Sequence, residues 1–140
     1  WMRRSPGRRN AVRAIDTNVI VRFLTADDPK QAQAARRVIE AGEVFIGTTV
    51  ALETEWVLRA GYRFSSPDIS AALRGLGGLP GVSLEEPAEV AQALDWMSEG
   101  MDFADALHLA RSGHCSAFVT FDRKLAKRAG GLVSVPVEAP

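Results

Sequence analysis

Cysteine, histidine and long apolar runs are what this 140-residue chain has least of. A single cysteine, Cys115, leaves no partner for an internal disulfide and excludes a cysteine-built zinc cluster. Two histidines, His108 and His114, are too few for a histidine-rich metal site. No apolar stretch approaches the roughly 20 residues of a membrane-spanning helix, and no signal-peptide pattern precedes the first predicted strand. A cytoplasmic protein that does not enter a membrane is the default expectation. Net charge is absent too, since 17 basic residues balance 17 acidic ones.

What the chain does have is the composition of a soluble globular domain, with 46% hydrophobic residues, enough at this length for one sizeable core. Its charge is unevenly placed. Five basic residues (Arg3, Arg4, Arg8, Arg9, Arg13) precede the first acid, Asp16, leaving 12 basic against 17 acidic residues from position 14 onward. An acidic body suits phosphate binding poorly unless bound cations invert the local field. Residues 1–11, arginine-rich and aperiodic, are read as a disordered arm, a tag remnant or a misassigned start, and residues 12–137 as the folded domain.

Along that domain strands alternate with helices. A buried strand is expected over Ala11–Ile15, then helices over Asn18–Thr25 and Pro29–Ala41, the latter opened by Asp27-Asp28-Pro29. Strand Val44–Gly47 leads to a helix from Thr48 or Thr49 to about Ala60, and Pro67–Leu76 is helical. Strand Val82–Leu84 is followed by helices Pro87–Glu99 and Asp102 to about Ser112. Ala117–Thr120 is a strand, Asp122–Arg128 a short helix, and Leu132–Val135 a last strand. The alternation predicts an α/β three-layer sandwich, a central parallel sheet of four to five strands flanked by helices. Such sheets bind ligands beyond the carboxyl ends of their strands.

Carboxylates fall at those ends. Asp16 follows the first strand and Asp122 the fourth; either can cap the next helix, and both can open on one crevice. In the third helix Glu53 shares an apolar stripe with Val50, Val57 and Ala60, which predicts partial burial and assigns it to the site. Glu55 is assigned to the surface, where Arg59 stands four residues on. Asp102 caps the helix it opens, and Asp105, in an otherwise apolar stretch, reads as a ligand. Trp56 and Phe103 read as core. Oxygen donors crowded together repel unless a hard cation holds them, which favours Mg²⁺ or Mn²⁺ over zinc. Such ions activate water and stabilise the leaving oxygen in phosphodiester hydrolysis.

Four blocks, Ile15-Asp16-Thr17-Asn18-Val19, Val50-Ala51-Leu52-Glu53 with Trp56-Val57-Leu58-Arg59, Asp102-Phe103-Ala104-Asp105-Ala106-Leu107-His108 and Thr120-Phe121-Asp122-Arg123, together resemble a PIN domain of the VapC toxin type from bacterial type II toxin–antitoxin pairs. The resemblance spans roughly Val12 to Val135. It implies an endoribonuclease using Mg²⁺ or Mn²⁺ with Asp16, Glu53, Asp105 and Asp122 as an acidic quartet, Asp16 and Asp105 being most directly tied to metal. Asn18 and Thr120 match polar positions around the acids, with Asp102 in a supporting place. It also implies a homodimer silenced by a VapB-type antitoxin. Arg123, Lys124 and Lys127, on the helix opened by Asp122, are candidates for RNA contact or simply a solvated face. The alternatives are a DNA-directed flap-type nuclease, another metal-dependent phosphohydrolase, or an inactive PIN module that binds RNA or protein. A haloacid-dehalogenase phosphatase is disfavoured, because Asn18 stands where a second aspartate belongs.

Overall fold

A computed structural model describes residues 11–140; of the arm set aside above, residues 1–10 lie outside the described residues. The described chain has five short strands and seven helices in the order β1 (Arg13–Ala14), α1 (Thr17–Thr25), α2 (Pro29–Glu40), β2 (Val44–Ile46), α3 (Thr48–Tyr62), α4 (Ser66–Gly77), β3 (Val82–Leu84), α5 (Pro87–Ser98), α6 (Phe103–Ala110), β4 (Phe118–Val119), α7 (Arg123–Ala129) and β5 (Val137–Glu138). The predicted α/β class and parallel pairing are present. The five strands, however, are divided: β1-β2-β3 form one parallel sheet and β4-β5 a second.

Local chemistry accounts for the elements. Asp16, Asp28, Ser65, Asp102 and Asp122 each accept a backbone N–H from the first turn of the helix that follows, meeting donors that have no partner within the helix. Helix α3 has no such cap of its own, since Gly47 precedes it. Its first turn is met from outside. The Glu85 carboxylate, just past β3, accepts the Thr48 N–H at 2.8 Å and the Thr48 hydroxyl at 3.1 Å. These two bonds hold the Glu85 carboxyl below its ordinary range.

Two apolar clusters hold the layers together. One joins α3–α6 with α7 through Leu58, Ile69, Leu94, Met97, Phe103 and Leu125. The other packs Ile20 and Ile39 against Val44 and Ile46 of β2. Leu24 and Leu84 touch both.

Two expectations about strands need correction. The first strand is not buried: Arg13 and Ala14 are exposed because β1 lies at a sheet edge, and burial begins at Ile15. The last strand is not Leu132–Val135. The N–H groups of Leu132 and Val133 bond back to the Ala129 carbonyl at the end of α7, so they cannot enter a ladder, and pairing starts two residues after Val135.

The remote cap sets a pH test. Because the folded pKa of Glu85 lies below its ordinary 4.5, its stabilisation is complete above that value and disappears as pH falls through the folded pKa. Glu85→Ala should melt at a lower temperature than wild type at pH 7, with the gap closing under acid. A gap that is constant with pH would refute the carboxylate cap.

Candidate active site

Three of the four predicted acids sit where a strand or turn hands over to a helix. Asp16 Oδ1 accepts the Val19 N–H at 3.1 Å, and Asp122 Oδ1 accepts the Leu125 N–H at 3.0 Å. Thr120 supports Asp122, its hydroxyl accepting the Asp122 N–H at 3.0 Å. Asp105 lies in the first turn of α6, its backbone N–H donated to Asp102 Oδ2 at 3.2 Å. Phe103, 1% exposed in the core as expected, anchors that turn.

Burial on α3 is the reverse of the sequence reading. The inward stripe is Ala51, Thr54, Glu55 and Leu58. Glu55 is 3% exposed and Glu53 faces solvent. The error has a physical source, for the true inner face carries two polar residues that satisfy themselves locally. Thr54 donates to the Val50 carbonyl at 2.7 Å, and Arg59 Nε donates to Glu55 at 2.8 Å, so the predicted ion pair exists with its acid inside. Trp56 is likewise not core but 58% exposed. The exposed Glu53 is nevertheless held, because the Thr17 hydroxyl donates to it. Thr17 was missed by sequence reasoning, as were Glu85 and Arg111, which share Thr48. Only the position of Thr17 directly after Asp16 could have pointed to it.

The quartet is thus met as two pairs. Glu53 is tied to the start of α1 beside Asp16. Asp105 is partly buried, and burial pushes its carboxyl above the ordinary range; the charges of Asp102 and Asp122 push the same way, offset in part by His108. Among the described residues no three His, Cys, Asp or Glu side chains stand so that they could hold one metal ion. The donor chemistry fits a hard divalent cation, and the like-charge strain at Asp105 is what such an ion relieves. The arrangement of the donors does not by itself form the site.

Asp16 and Asn18 line an open cavity of about 340 Å³ with Val19, Arg22 and Gln31. A second cavity, about 450 Å³ between Glu86, Glu89, Arg111 and His114, contains none of the quartet. On α7, Arg123, Lys124 and Lys127 are exposed, whereas Arg128 donates to the Gly100 carbonyl.

The family model described as the PIN domain matches residues 13–131. This chain belongs to the PIN domain family. The match covers β1 through the end of α7 and therefore all four acids. PIN domains have a nuclease-type fold and are generally metal-dependent nucleases. No curated protein matches the chain. Among the described residues no helix is long and apolar enough to cross a membrane.

Asp105 provides a test without metal. With the folded pKa raised above the ordinary 3.8, ionising Asp105 costs more in the folded than in the unfolded chain, so the relative stability present below 3.8 is lost as pH rises through the folded value. In EDTA at pH 7, Asp105→Asn should therefore melt higher than wild type, with the advantage fading in acid. A lower melting temperature would show that the charge is stabilised by a partner instead.

Proposed function

We propose that this PIN domain is an Mg²⁺- or Mn²⁺-dependent endoribonuclease of the VapC toxin type, with Asp16, Glu53, Asp105 and Asp122 as its acidic quartet. The observation that carries the reading is Asp105, a partly buried carboxylate raised by two neighbouring acids. Only His108 offsets that charge in part, and the Asp105 side chain makes no hydrogen bond among the described residues. A divalent cation, when bound, supplies the positive charge that admits a phosphodiester into an acidic cleft and activates water there.

This chain's own groups do the positioning. Asp16, Asp102 and Asp122 are fixed by the helix N–H groups that they cap, which sets where their second oxygens are available. Thr17 orients Glu53, and Thr120 orients the Asp122 backbone. Asn18 lies on the same rim as Asp16, suited to hydrogen-bond a phosphate or water. Arg123, Lys124 and Lys127 place cations beside Asp122, where the RNA backbone can run. A homodimer, a VapB-type antitoxin as inhibitor and a cytoplasmic address belong to this reading. That no three donors converge among the described residues favours one competing reading, a PIN module that binds RNA or protein without catalysis.

Purified protein should cut single-stranded RNA with Mg²⁺ or Mn²⁺ and not in EDTA. Asp16→Asn or Asp105→Asn should each lower kcat/KM by about 10²-fold or more. Cleavage that survives EDTA and both substitutions overturns the proposal, and binding without cleavage establishes the inactive module. Replacing Arg123 and Lys124 by alanine should flatten the slope of log affinity against log salt by about 0.7 per residue.

A further inference from the structure

The two described tryptophans are treated in opposite ways. Trp96 is packed in the core at 9% exposure, whereas Trp56 stands 58% exposed on α3. Thr49, Glu53, Trp56, Ala60 and Arg63 follow one another at spacings of three and four, and all are exposed, so they form one solvent-facing stripe. Trp56 follows Glu53 by three residues, about 4.5 Å of backbone rise along the helix axis. Arg59 follows Trp56 by the same spacing, but its guanidinium is already paired with the Glu55 carboxylate at 2.8 Å. Arg63, the C-cap of the helix, makes no ion pair among the described residues.

What surrounds Trp56 decides its occupant. A stable protein interface buries about 800 Å² per partner around a core of apolar residues. The other large exposed hydrophobics, Val119, Phe121 and Leu132, lie on β4 and the turns flanking α7, not on α3. Trp56 is therefore the one large exposed hydrophobic on α3, on a stripe that also carries the Glu53 carboxylate and, at its end, Arg63. That combination suits an unpaired nucleobase, which presents a π-face to the indole and carries a phosphate for the neighbouring cation.

On the premise that the nuclease reading is right, we infer that Trp56 stacks a base of single-stranded RNA next to Glu53 of the acidic quartet, with Arg63 on a flanking phosphate. Trp56 is then a substrate-positioning residue. It contributes to binding equally before and during the reaction, so its loss should act on KM and leave kcat in place.

The test uses the full chain and a ten-nucleotide single-stranded oligoribonucleotide. In EDTA the oligonucleotide should quench tryptophan emission in wild type and not in Trp56→Phe. With Mg²⁺ or Mn²⁺, Trp56→Ala should raise KM about 5- to 150-fold, the range of one lost base stack, with kcat within about twofold. Trp56→Phe, which keeps an aromatic plane, should recover most of that loss. Quenching that depends on Trp56 in a protein that cuts no RNA would keep the stacking site and remove the nuclease reading. Normal cleavage with KM unchanged in Trp56→Ala would overturn the stacking site and leave the nuclease. A Trp56→Ala variant that loses a dimer in sedimentation while binding RNA normally would also overturn it, by assigning this face to a second copy of the chain.

Discussion

Every helix in a domain of this kind begins with backbone N–H groups that have no acceptor inside the helix, and the way those donors are satisfied governs the rest of the molecule. Aspartate is the acceptor at four of the seven helix starts, namely Asp16, Asp28, Asp102 and Asp122. In each case one carboxylate oxygen is spent on the cap while the helix dipole favours the negative charge. The same side chains are thereby fixed in place with lone pairs to spare. Capping and metal ligation would draw on one and the same geometry, which is why neither could be dismissed from the residues alone. Of the two helices without a side-chain cap, α3 and α5, the first is met by Glu85, which reaches in from the end of β3 and ties that helix to the sheet.

The electrostatics follow from where those caps accumulate. From position 14 onward the chain carries 12 basic against 17 acidic residues. The surplus is not evenly solvated, because burial first, and then the charges of Asp102 and Asp122, raise the Asp105 carboxyl. A body of this sign repels nucleic acid except where cations stand, on α7 and beside Trp56 on α3.

Most of the fold was legible in the sequence. Pro29, Pro67 and Pro87 open helices as expected, and all three strands of the first sheet were placed within a residue or two of the observed pairing. The failures share one cause. Apolar periodicity identifies a buried face only when that face is apolar. On α3 the inner face includes Thr54 and Glu55, each satisfied within one turn, so the pattern favoured the wrong side and sent Trp56 inward and Glu55 outward. At the C-terminus, Leu132 and Val133 have strand composition, but their N–H groups are claimed by Ala129 before a strand can form.

The sequence by itself determined the family and the α/β alternation, because these depend on residue types at positions where strands and helices begin and end. Only the tertiary structure decided which acids become neighbours, that Thr17 holds Glu53, and that the strands divide between two sheets. Those outcomes depend on contacts between residues far apart in the chain, such as the 36 positions between Thr17 and Glu53. Local propensity and periodicity carry no information over such distances; packing of the two cores settles them.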